Sequence, residues 1–190
     1  MILVVASTFE PNAARGRAPA GLRAGDVSGA FTIEGVPPGR YVALAAFEND
    51  GLVRDPDTNI GGTDLVYVDV PEAGGRVSLP ESFKVTGALT TISPGAETLE
   101  IVGATPTFTW ADDSSEDGYD LRVFDAFGAL TYEALGLPRV TGSSSVTHTY
   151  AGPALVPGMI YQFRVLSWRE RGGRTPISAT EDLRGVFQVQ

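Results

Sequence analysis

Cysteine is absent from all 190 residues, which excludes disulfides, thiolate metal sites and cysteine nucleophiles together and leaves the redox compartment open. Histidine occurs once, at His148, so no second imidazole is available for a histidine metal cluster. Lysine also occurs once, at Lys84, and the remaining positive charge is scattered arginine set against 23 acidic residues, for a net charge of −9. A polyphosphate would be repelled, and no basic cluster offsets that repulsion, so nucleic acid is excluded as a partner. No apolar run approaches the ~20 residues of a membrane span. The opening run Met1–Ser7 is too short for a secretory h-region with its flanks.

What the sequence does hold is 23 glycines and 13 prolines, with β-branched and aromatic residues spread along the chain. That composition suits many short strands joined by tight turns, and the length suits two domains of about 90–100 residues. Strands are expected at Ile2–Ala6, in a hairpin through Phe31, Ile33, Tyr41 and Ala43, and at Leu65–Val70, Arg76–Leu79 and Phe83–Thr86. The first starts almost at residue one, as in a chain that continues from a longer protein. After Leu89 a second set follows: one near Leu99, then Thr107–Trp110, Tyr119–Phe124, Leu130–Glu133, Val146–Tyr150, Met159–Trp168 and Val186–Val189. Seven strands at regular spacing read as a second all-β sandwich.

The run Gly29-Ala30-Phe31-Thr32-Ile33-Glu34-Gly35-Val36-Pro37-Pro38-Gly39-Arg40-Tyr41 resembles the signature hairpin of carboxypeptidase regulatory-like domains. The resemblance implies a transthyretin-like sandwich over residues 1–87, without the strand the family usually places before Ile2. An exposed sheet edge is expected there. In the second half, Pro106–Trp110, Gly118–Val123 and Leu155-Val156-Pro157-Gly158-Met159-Ile160-Tyr161 resemble the core-tryptophan strand, the next strand and the tyrosine corner of a bacterial fibronectin type III domain. This implies a fibronectin type III-like sandwich over residues 88–190, with the Tyr161 phenol bonded back to the backbone and its ring turned inward. Neither family is catalytic in itself.

Glu48–Asp64 is expected to be an acidic loop. Asp55, Asp57 and Asn59 have the alternation that turns oxygens toward one hard cation, and Asp64 could close a calcium shell. The register is wrong for an EF-hand, since the sixth and twelfth positions from Asp55 are Ile60 and Val66, and a solvated turn in which Asp and Asn cap their own backbone is the favoured alternative. A second acidic run, Asp112–Asp117, reads as a plain charged turn ahead of a metal site. His148 reads as a surface or half-buried strand residue, and Trp110 as core. Trp168 falls on the opposite parity from Tyr161 and Val165, beside arginines. It reads either as an exposed contact for a ligand or protein or, preferably, as packed against the neighbouring domain or a partner strand. Lys84 reads as an ordinary strand residue ahead of an isopeptide partner.

No Gly-x-Ser-x-Gly elbow or titratable constellation points to an enzyme. The expected function is a non-catalytic structural, binding or adhesion module pair of a larger bacterial surface protein or lipoprotein. It would be extracellular, on the cell surface or periplasmic, with a protein or glycan as partner. The alternative is an accessory segment of a secreted hydrolase whose catalytic domain lies elsewhere.

Overall fold

A computed structural model describes residues 1–9, 19–24, 30–44, 52–54, 65–81, 85–181 and 183–190. The alternating pattern resolves among them into fourteen β-strands and one 3-10 turn, Ala6–Thr8, so the chain is all-β, in mostly antiparallel sheets compatible with a β-sandwich. No helix among the described residues is long and apolar enough to cross a membrane. By its internal contacts the chain divides into two units, Met1–Phe47 with Arg54–Thr86, and Gly87–Gln190 with Glu48–Val53.

In the first unit β1 (Ile2–Val5) and β2 (Gly39–Leu44) pair antiparallel, and a later strand, Val66–Val70, pairs with the other edge of β2. Tyr41 and Ala43 face Leu3 and Val68 in a small core, with Leu22, Ile33 and Val36 packed against it. Val42 and Leu44, of opposite parity, are buried as well. The turn before β2 is fastened by the Tyr41 hydroxyl, which donates to the Pro37 carbonyl at 2.9 Å.

The hairpin expected at residues 31–43 is not formed. Phe31 and Ile33 are half-buried and Thr32 and Glu34 exposed, as the alternation requires, yet residues 30–38 belong to no ladder. Both edges of β2 are already taken, so this segment packs its apolar side chains without a ladder partner among the described residues. Arg76–Leu79 likewise forms no strand. A short strand, β3 (Leu52–Arg54), interrupts the stretch read as a continuous loop. With Val66–Val70 as β4, it pairs with β5 (Val85–Gly87) in a two-stranded sheet.

The unit from Gly87 onward contains β6 (Thr91–Ser93), β7 (Glu100–Val102), β8 (Thr107–Ala111), β9 (Gly118–Asp125), β10 (Leu130–Pro138), β11 (Ser145–Thr149), β12 (Ile160–Glu170), β13 (Arg174–Ala179) and β14 (Val186–Val189). One sheet has the order β10-β9-β12-β14-β7, with β13 also on β12, and the other has the order β11-β8-β6. β12 pairs with β9 along Tyr161–Trp168, while its opposite edge is shared by β14 at Ile160–Gln162 and β13 at Leu166–Glu170. Inward side chains of both sheets meet in one core, where Phe108 of β8 lies 4.8 Å from Phe163 of β12 and 5.7 Å from Phe187 of β14. β6 and β13 escaped the sequence reading. β6 has only three residues, and β13 contains Pro176, which argues against a strand unless it lies at an edge.

Leu155 and Tyr161 are buried, and the Val156 amide donates to the Tyr161 hydroxyl at 2.9 Å. The ring therefore packs inward while its oxygen satisfies the backbone of the preceding turn, as the Leu-to-Tyr spacing led us to expect. Gly95, at φ +75°, is held where any Cβ would strike the Val186 backbone. The close approach brings the β6–β7 connection onto β14, where the Gly185 amide donates to the Gly95 carbonyl at 2.8 Å.

Candidate functional site

The turn from β8 to β9 carries Asp112, Asp113, Glu116 and Asp117, and four carboxylates so close in sequence would favour an open, solvated loop. Instead the turn is fastened over the far end of β12. Asp113 Oδ1 accepts from the Ser115 hydroxyl at 3.0 Å and its amide at 3.3 Å, an Asx-type turn, while its Oδ2 accepts from Ser167 Oγ at 2.8 Å. Ser167 is fully buried. The Asp117 amide donates to the Trp168 carbonyl at 2.8 Å, and Asp117 Oδ2 accepts from the Glu170 amide at 2.8 Å. Arg169 Nε donates to the Ser115 carbonyl. Each of these bonds joins the turn to β12 or tightens it in place.

Tyr119, at the start of β9, closes the turn from below. Its hydroxyl accepts from the Asp113 amide at 2.8 Å and donates to Asp112 Oδ1 at 2.9 Å, and its ring sits edge-on to Trp110 with centroids 5.5 Å apart. Burial pushes the Tyr119 phenol far above its ordinary pKa, so it remains a donor. Trp110 is fully buried, as expected, but its Nε1 has no partner among the described residues. The same is true of Oγ1 of Thr91, its cross-strand neighbour.

Glu116 is the anomaly of this turn. It is only 3% exposed, and its Oε2 has no hydrogen-bond partner among the described residues. Burial raises its pKa, and the nearby charges of Asp112 and Asp113 raise it further, against a lowering contribution from its hydrogen bonds.

Beside the turn, Asp120 Oδ1 accepts from Trp168 Nε1 at 3.2 Å, from the Gly136 amide at 2.8 Å and from Arg174 Nη1 at 3.1 Å. The Arg174 guanidinium lies 4.0 Å over the Trp168 ring. Trp168 is therefore buried rather than exposed, which overturns the contact-surface reading and agrees with the preferred one, packing against a partner strand. A register shift between Ser167 and Trp168 breaks the strict alternation of β12, so both side chains are covered. Gly118 makes room for the indole, since a Cβ there would overlap Trp168 Cζ2 and the Leu137 carbonyl.

His148 is half-buried, and its Nε2 lies 2.7 Å from the Tyr132 hydroxyl, with the two rings stacked at 5.9 Å. The contact joins β11 of one sheet to β10 of the other. Burial lowers the His148 pKa, which favours the neutral ring as acceptor of the tyrosine proton. Asp55, Asp57, Asn59 and Asp64, the expected calcium ligands, lie outside the described residues, as does Lys84. Among the described residues no three Asp, Glu or His side chains are grouped to hold a metal ion.

Ser167 could have been noticed in the sequence as a polar residue at the inward parity of Tyr161, Phe163 and Val165. Glu116 carried no such signal, because a charge run ordinarily faces solvent. The chain matches no family model, no curated protein and no solved structure.

Proposed function

We propose that this chain is a non-catalytic pair of β-sandwich modules, transthyretin-like then fibronectin type III-like, serving as a structural or binding segment of a larger bacterial protein outside the cytoplasm. The observation that carries this reading is the use made of the chemically versatile side chains. His148, Tyr119, Asp113, Ser167 and Asp120 are each occupied in bonds that fasten one strand or turn to another. Groups committed in this way hold a scaffold and are not positioned to attack or protonate a substrate. The buried Trp110 and the Val156–Tyr161 bond support the fibronectin type III-like assignment, and the acidic surface suits a protein or glycan partner over any polyanion. The test is protease accessibility of the tagged native protein on intact cells. Cleavage without lysis is expected, and full protection in a cytosolic fraction would overturn the reading.

A further inference from the structure

We propose that the β8–β9 turn is a proton-operated latch, closed on the end of β12 while Glu116 carries a proton and released when that proton passes to solvent. Glu116 is buried with one carboxyl oxygen unpartnered among the described residues, and both acids at the start of its turn, Asp112 and Asp113, are close enough to act on it. A neutral carboxylic acid tolerates such a place, whereas a carboxylate there would be both desolvated and repelled.

Among the described residues no cation acts on Glu116 to compensate. Its own turn supplies Asp112, Asp113 and Asp117, and β9 supplies Tyr119, whose hydroxyl bonds Asp112 and the Asp113 amide and gives Glu116 a hydrogen bond that offsets only part of the upward shift. From β12, Arg169 is bonded to the Ser115 carbonyl and the Glu170 amide to Asp117. Arg174 of β13 is paired with Asp120. Just before β6 and β11, this end meets the uncharged Thr90 and Ser144, whose carbonyls accept from the Ala111 and Asp112 amides.

Release would be local, because the bonds that close the latch are those of Asp113, Ser115 and Asp117 to β12, outside the aromatic core. The sign follows from the direction of the shift. A carboxyl whose folded pKa is raised stabilises the closed form below its unfolded pKa, and that contribution is lost as pH rises through the folded value. Loss of the proton would free Asp113 and Asp117 from β12 and uncover Ser167.

The test joins a carboxyl-carbon NMR titration of the whole chain with amide hydrogen exchange at Asp117 and Glu170, corrected for intrinsic base catalysis. The Val165 amide, bonded to Thr180 Oγ1 in the core, is the internal control. A Glu116 midpoint above the ordinary value of about 4.3 is expected. Exchange at Asp117 and Glu170 should accelerate at least about tenfold, roughly 1.4 kcal/mol of lost protection, as pH rises through that midpoint while Val165 stays unchanged. Glu116→Gln should remain protected throughout. A midpoint at or below the ordinary value, or acceleration that persists in Glu116→Gln, would overturn the proposal. Should that variant fail to fold, the wild-type comparison decides: exchange that does not follow the Glu116 midpoint, or that Val165 shares, overturns it equally.

Discussion

Ser167 Oγ and Asp113 Oδ2 meet at 2.8 Å although 54 positions of sequence separate them. The serine is fully buried on β12 and the aspartate lies in the β8–β9 turn, so one bond ties a surface turn to the sheet beneath it. A hydrogen bond to a charged group contributes about 1.5–3 kcal/mol. Ser167→Ala is expected near the lower end, about 1.5 kcal/mol, because the half-buried Asp113 can turn its freed oxygen toward water. Urea unfolding should show a lower midpoint with an unchanged slope.

Gly118 is required for its lack of a side chain. Gly118→Ala would drive a methyl group into Trp168 and the Leu137 carbonyl, and a loss of at least about 2 kcal/mol is expected, as for overpacked cores. Gly103 faces open space, so Gly103→Ala should stay within about 0.5 kcal/mol. Parallel denaturant titrations compare the two, and equal losses would contradict the packing argument.

His148 links stability to pH in the direction opposite to Glu116. The unfolded chain takes up a proton near pH ~6.5, whereas the folded ring resists it because burial lowers its pKa. Stability is therefore full above that value and declines as pH falls through the folded pKa. Melting temperatures measured from pH 8 to about pH 5 should fall less steeply in His148→Gln than in the parent. Identical slopes would show that protonation of this ring is not linked to folding.

For residues 48–64, the solvated-turn reading predicts coincident thermal unfolding in millimolar calcium and in chelator. If Asp55, Asp57, Asn59 and Asp64 instead ligate calcium, the parent will melt higher with the ion present, and Asp57→Ala will abolish the difference.

Much of the second unit was legible because inward and outward positions alternate along β8 and β14 and over most of β9 and β12, and a half-buried sheet enforces that period. The Leu155–Tyr161 turn was legible for a similar reason, since its residues depend on each other locally. The reading failed where partners are chosen by the tertiary fold. Phe31 and Ile33 show the correct alternation, but β1 and β4 already hold both edges of β2. The exposed alternative for Trp168 fell to a register shift that no local pattern announces, while its preferred packing against a partner strand agrees with the indole under Arg174 of β13. Glu116 was concealed by its neighbours, since four acids in six residues look solvated even when one is folded under.

The parallel ladder between β7 and β14, with Glu100 beside Phe187 and Val102 beside Val189, bears on how this unit carries tension. A pull that reaches the start of β7 and the end of β14 from opposite directions slides two like-directed strands along each other. It does not peel one from the other, so the rungs are loaded together rather than in turn. The unit is thereby predicted to yield as one mechanical step once its leading segment is drawn off. A force–extension record with no discrete rupture for residues 100–190 would contradict this.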